Sequence, residues 1–391
     1  MVEAVRKGRS QREVARANHV SLSVLQRWIR RAGTKRLDRV DFSSQSSRPH
    51  TVPTKTSAAM EEKILDLRKE LRQESDLGDY GAEAIHEELL RDPLVAKLNG
   101  GKIPSVRTIN RILERRGVFD RHRRIRRPAP RPGWYLPEVV SAKAELDSAD
   151  FVEGLFIKDK GEVMILNLVS MHGGLVNSWP RIGSWQAAQV IECLLEHWRE
   201  VGLPTYVQFD NDLRFHGPHH RRDSISRVMR MALSLGVTPV FAPPGEQGFQ
   251  NDIESYNGRW QAKVWARFVH DSLSDLENVS RRFVLAVRHH RRHRISAAPQ
   301  RRAFPTNWKL DLQQHPKGRI IFLRRLTDRG TTVVLGRTWE VDPTWPHRLV
   351  RCEVDLNNHA ISFYRLRRSQ PEDQPLLKRY PYRLPERRFK E

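Results

Sequence analysis

The sequence predicts a multidomain chain, with N-terminal all-α units, a central α/β domain built on a mixed sheet, and a small C-terminal β-barrel. Three observations predict it. Two early stretches repeat apolar residues at helical spacing. Residues 140–300 alternate strand-like and helix-like segments, as an α/β domain requires. After residue 318, short strand-like stretches recur between turn residues, the pattern of a small barrel.

The 391 residues suggest two to three domains. Lysine and arginine number 69 against 46 acids, a formal charge of +23. Such a balance points to a polyanionic partner, with nucleic acid foremost. Hydrophobic residues make up 38%, sufficient for packed cores. Only Cys193 and Cys352 are present, which excludes a disulfide framework and a cysteine-rich zinc site. No apolar run reaches membrane-span length and no signal-peptide core opens the chain. The expected setting is therefore cytoplasmic.

Residues 1–33 read as a helix-turn-helix. Ser10 and Glu13 fit a capping box, and Ser21 fits the N-cap of the next helix. Leu22, Leu25, Trp28 and Ile29 recur at helical spacing, leaving Gln26, Arg27, Arg30 and Arg31 to contact DNA. A plain two-helix hairpin gives the same pattern. Residues 34–57 lose periodicity and read as a linker. Residues 58–120 form a second helical DNA-binding domain whose third helix offers Arg107, Arg111 and Arg115. Residues 121–139 are a basic linker dense in arginine and proline. There Arg123, Arg124, Arg126 and Arg127 would lie along phosphates.

Within 140–300, strands are expected at 149–156, 162–170, 175–179, 205–209 and 237–241. Helices are expected at 184–201, 224–235, 249–267 and 276–290. The barrel occupies 301–368, and 369–391 is an extended tail.

Three acids stand out by position. Asp150 lies within the first strand, Asp210 ends the fourth, and Glu254 sits on the helix after the Pro-Pro-Gly break at 243–245. A lone acid at a strand end is usually a cap. Three acids on neighbouring strand ends and a helix can converge as oxygen ligands for Mg²⁺ or Mn²⁺. Asp147 is the nearby alternative to Asp150. His216, His219 and His220, and the group His289, His290 and His293, lack cysteine partners, so zinc is not expected.

The segments ADFV, QFDN and IESYN resemble the three motifs of the integrase catalytic core. That core is shared by retroviral integrases and bacterial insertion-sequence transposases and has a ribonuclease-H-like fold. The resemblance implies Asp150, Asp210 and Glu254 as an acidic triad that holds two metal ions, with 43 residues between the last two. It implies a DNA transposase that cleaves and joins strands at element ends and at a target. It also implies a homo-oligomer assembled on double-stranded DNA in the bacterial nucleoid, in some relatives with an ATPase target selector. Asp212 stands where relatives carry glycine, Asn251 where glycine is common, and Ser170–Gly173 where an aspartate is common. A transposase that lost catalysis and kept DNA binding would share the charge and the helices. A plain transcriptional regulator would not account for the α/β core.

Overall fold

The computed structural model describes residues 1–43, 56–92, 94–119, 133–218, 221–246, 248–386 and 389. The chain forms two compact units, Met1–Ala58 and Ala59–Glu391.

Among the described residues the first unit has three α-helices, α1 (Val2–Arg6), α2 (Gln11–Ala17) and α3 (Leu22–Ala32). Val14, Ala15 and Leu25 form its buried centre. Ser21 caps α3 by accepting the Val24 N–H at 3.3 Å. Ser10 precedes α2, but its hydroxyl makes no cap bond, so the expected capping box is not formed. The turn between α2 and α3 passes through His19 at φ 52°, a left-handed step that tightens the corner.

The second unit opens with α4 (Ala58–Glu74), α5 (Ala82–Arg91) and α6 (Val106–Arg115). Met60, Ile64, Ile85, Leu89, Ile109 and Leu113 pack at their centre. Ser105 caps α6 by accepting the Thr108 N–H at 3.4 Å. Lys263 and Arg267 bind this bundle to the rest of the unit. They donate to the Gly78 and Gln73 carbonyls, each at 2.6 Å.

A short helix, α7 (Pro137–Val140), leads into the sheet. The strands are β1 (Leu146–Ile157), β2 (Gly161–Ser170), β3 (Val176–Ile182), β4 (Tyr206–Phe209) and β5 (Thr238–Phe241). β1, β2 and β3 are antiparallel, and β4 and β5 run parallel to β1. The expected α/β domain with a mixed sheet is therefore present. The helices between and after these strands are α8 (Ala187–Val201), α9 (Leu213–His216), α10 (Arg227–Ser234), α11 (Asn251–Trp260), α12 (Leu273–His290) and α13 (Arg292–Ser296).

Strand alternation gives the sheet two buried faces. Ala149, Val207, Phe209 and Phe241 pack on one face with Val190, Leu194 and Trp198 of α8 and Val228 of α10. Val152 and Ile165 pack on the other with Ile253, Tyr256 and Trp260 of α11 and Phe283 of α12.

The C-terminal strands depart from expectation. They are β6 (Arg319–Arg325), β7 (Thr331–Val334), β8 (Arg337–Glu340), β9 (Leu349–Asp355), β10 (Ala360–Arg365) and β11 (Leu376–Pro381). β6 pairs parallel with β5, and β9, β10 and β11 follow antiparallel, giving one nine-stranded sheet. Among the described residues these strands continue the central sheet rather than standing apart as a separate barrel. β5 would otherwise leave a row of unpaired backbone groups, and β6 supplies the partner. Phe322, Cys352, Val354 and Phe363 belong to the same apolar cluster as Trp198 and Phe209. The expected extended tail likewise includes β11, an edge strand on β10. Among the described residues no helix is long and apolar enough to cross a membrane.

Candidate active site

The two aspartates of β1 lie three residues apart, so they point to opposite faces. Asp147 faces α8 and is fully buried. Trp198 Nε1 donates to it at 3.1 Å, Ser170 Oγ at 2.7 Å, and the Arg301 guanidinium grips both oxygens. Burial pushes its pKa up, but the Arg301 charge and hydrogen bonds outweigh burial and hold the carboxyl below the usual range. Asp147 is thus committed to a buried ion pair.

Asp150 points to the α11 face and stays half-buried. β1 and β4 pair Asp147 with Val207 and Ser148 with Gln208. Asp150 lies two residues past the last of these pairs on β1, and Asp210 follows the last residue of β4, so both acids stand just past the paired stretch. The Asp150 carboxyl is raised to about 6, first by burial, then by the charge of Asp210, with Glu254 adding to it. The Phe151 N–H and Asn257 oppose the shift. Asp210 is also raised, by burial first and by the charges of Asp212 and Glu153. The Asp212 N–H, donating to Asp210 Oδ1 at 3.0 Å, and Arg214 pull it back.

Glu254 stands in the first turn of α11 and is exposed. Its helix is placed by the end of β4. Gln208 Nε2 donates to the Phe249 carbonyl at 3.0 Å, and Tyr135 Oη donates to the same carbonyl at 3.2 Å. Asn211 Nδ2 donates to the Ala242 carbonyl at 2.7 Å, holding the ends of β4 and β5 together.

Several site residues escaped the sequence reading. Asn257 Nδ2 donates to Asp150 Oδ2 at 2.9 Å, and Asn257 Oδ1 accepts from Asn167 Nδ2 at 2.8 Å. Asn167 is the β2 partner directly across from Asp150. Asn257 follows Glu254 by three, the spacing of one helical face, which is a signal the sequence carries. Nothing local marks Asn167 or Gln208. Asp212 does not crowd Asp210 as an uncompensated charge. It caps α9 through the Arg214 N–H at 2.7 Å and pairs with the Arg214 guanidinium at 2.6 Å. Arg214 also reaches Glu153 at 2.6 Å and lies 3.9 Å over the Phe151 ring.

The donor set suits a hard divalent cation: oxygen ligands only, with like charges that repel one another. As the side chains stand, no three His, Cys, Asp or Glu residues among those described are grouped tightly enough to hold a metal ion. Asp150 is held within β1 and Asp210 directly follows β4, whereas Glu254 is a long, exposed side chain on the first turn of α11.

The residues expected to meet DNA lie in several settings. Gln26, Arg27 and Arg30 are exposed on α3, while Arg31 donates to the Ser43 carbonyl at 2.7 Å. Arg107 and Arg111 are exposed on α6. Arg115 and Arg116 instead clamp the buried Glu61 of α4, so Arg115 contributes to holding the bundle together. Arg123, Arg124, Arg126 and Arg127 lie outside the described residues, as do His219 and His220. His216 is buried against Phe241 and Phe322.

No protein-family model matches this chain, and no curated protein does. Among solved structures, it is similar to the catalytic core domain of BIV integrase, at TM-score 0.26 and 21% identity, over 36% of this chain and 80% of that one. It is similar to the HTLV-2 integrase catalytic core domain in complex with magnesium, at TM-score 0.28 and 14% identity, over 41% of this chain and 87% of that one. It is also similar to a chain of the simian T-cell lymphotropic virus intasome, at TM-score 0.32 and 12% identity, over 68% of this chain and 86% of that one.

Proposed function

We propose that this chain is a DNA transposase that binds element ends and catalyses divalent-metal-dependent strand cleavage and strand transfer. One observation carries the reading: Asp150 and Asp210 lie just past the stretch over which β1 and β4 pair, and the charges of Asp210 and Glu254 both raise Asp150. Asp150, Asp210 and Glu254 would hold the Mg²⁺ or Mn²⁺ ions. When bound, such ions polarise the scissile phosphate and the attacking oxygen of water or a DNA 3′-hydroxyl.

The chain's own groups do the rest. β1 carries Asp150, Asp210 follows β4, and rotation of the Glu254 side chain would complete the set. Asn257 orients Asp150 and keeps α11 against β1. Arg214 neutralises Asp212 and Glu153, which limits the negative charge beside Asp210. No protein nucleophile is needed. Arg27, Arg30, Arg107 and Arg111 supply phosphate contacts that position the duplex. Joining two ends requires at least two protomers assembled on the DNA.

The test is a strand-transfer assay with Mg²⁺ and DNA ends taken from the sequence flanking the gene. The wild type should join ends to a target, and Asp210→Ala and Glu254→Ala should abolish joining while retaining DNA binding. Joining that survives both substitutions rejects the catalytic assignment. A wild type that binds the ends without cutting them in Mg²⁺ or Mn²⁺ identifies a DNA-binding protein without the catalysis.

A further inference from the structure

Arg324 is a buried cation on β6, in the strands that extend the sheet. It follows Phe322 by two residues and so shares the face on which Phe209, Phe241 and Phe322 pack across β4, β5 and β6. Its guanidinium lies 5.1 Å over the Phe322 ring. Among the described residues no carboxylate pairs with it, and burial pushes its pKa down to about 10, opposed by Cys352. Stability alone does not call for a cation here. A buried charge without an ionic partner costs free energy that an apolar side chain of similar length does not. The guanidinium is instead spent on oxygen atoms at the strand ends. Nη2 donates to Asn211 Oδ1 at 3.1 Å, and Nη1 donates to the Leu323 carbonyl at 2.9 Å and the Ala242 carbonyl at 3.4 Å.

We infer that Arg324 is a positioning residue for Asp210, supplied by the C-terminal strands: by fixing Asn211 it holds the turn that carries Asp210. Its role in strand transfer rests on the transposase reading, whereas the restraint on the turn does not. Three physical points support it. A guanidinium only donates, so Asn211 must turn Oδ1 toward it. Asn211 Nδ2 is then aimed at the Ala242 carbonyl, which accepts it at 2.7 Å. One fork thus sets the amide's orientation and closes a triangle between the ends of β4, β5 and β6. Asn211 also sits between Asp210 and Asp212, and the Asp212 N–H donates to Asp210 Oδ1 at 3.0 Å. A restraint on Asn211 therefore bears on the carboxylate before it. Finally, Ala242 follows β5, and its N–H donates at 3.0 Å to the carbonyl of Phe209, the residue before Asp210. Ala242 also opens the segment that leads through Pro243 and Pro244 to α11 and Glu254. The triangle stands at the root of both chain segments, and its cation comes from outside the α/β core.

The test uses the full chain and two readouts. Hydrogen–deuterium exchange followed by mass spectrometry reports on the turn without DNA or metal. Arg324→Met should speed exchange of the amides at 210–213 about tenfold, the scale of one charge-assisted hydrogen bond, and leave the remote strands β1 and β2 as they are. In strand transfer the same variant should lower kcat about tenfold with KM for the DNA ends unchanged, the mark of a group that acts on the reacting geometry and not on binding. Arg324→Lys keeps a donor for Asn211 and should recover part of both effects. Asn211→Ala should reproduce them, and joining it to Arg324→Met should add little further. Wild-type exchange at 210–213, faster exchange spread evenly over the chain, or a wild-type kcat in Arg324→Met overturns the positioning role and leaves the transposase reading standing. Should Arg324→Met fail to fold, wild-type exchange and kcat in Asn211→Ala overturn the role equally. A wild type that joins no ends overturns the transposase reading, and the role in strand transfer with it.

Discussion

Asn257 on α11 donates from Nδ2 to Asp150 Oδ2 on β1 at 2.9 Å, and its Oδ1 accepts from Asn167 on β2. One side chain therefore ties the helix that carries Glu254 to the strand that carries Asp150. Asn257→Ala should lower strand transfer about 10–100-fold, as loss of a ligand-orienting partner does at metal sites. Thermal melting should change little by comparison. An unchanged transfer rate would show that the link does not position the carboxylate.

Asp150 lifts to about 6, and the sign of its contribution follows. A carboxyl raised in the folded state stabilises the fold below its unfolded pKa and loses that contribution as pH rises through about 6. Asp150→Asn should therefore be more stable than the wild type at pH 7.5, by about 1–2 kcal/mol after allowance for partial solvent access. The advantage should shrink as pH falls below 6 and vanish near 4. Urea unfolding of both proteins across that range measures it.

Asp147 should behave in the opposite way. Asp147→Ala leaves the Arg301 guanidinium buried without its partner, a loss of about 3–5 kcal/mol. Denaturation of the Asp147→Ala and Asp150→Ala proteins side by side separates the aspartate held in the ion pair from the proposed metal ligand. Equal stability of the two would contradict the division.

Arg214→Ala removes the guanidinium shared by Asp212 and Glu153, beside Asp210. Strand transfer should fall about tenfold, and adding Asp212→Asn should restore part of it. A double-mutant cycle on the transfer rate should give a coupling near 1 kcal/mol. Additive losses would mean that Arg214 acts elsewhere.

The salt dependence of DNA binding distinguishes the arginines. Arg27→Ala with Arg30→Ala should weaken binding and flatten the slope of log affinity against log salt by about 2. Arg115→Ala should act mainly through stability, because Arg115 holds the buried Glu61. Melting curves and salt titrations of the two variants decide between these roles.

The local pattern of the chain determined where most elements lie. Strand β5 and the cap of α3 at Ser21 were legible because strand-forming residues, helical periodicity and capping chemistry act over a few residues. The motifs pointed to Asp150, Asp210 and Glu254, and Asn257 could have been read from its i+3 spacing. Tertiary structure alone decided what depends on distant partners. Asp147 and Asp150 look alike in sequence. The pleat sends one to Arg301, distant in the chain, and the other to the Glu254 helix. The strands after residue 318 carry the periodicity of a barrel and of a sheet extension equally. The open backbone edge of β5 decided between them, and a strand's own sequence does not encode which edge it will meet.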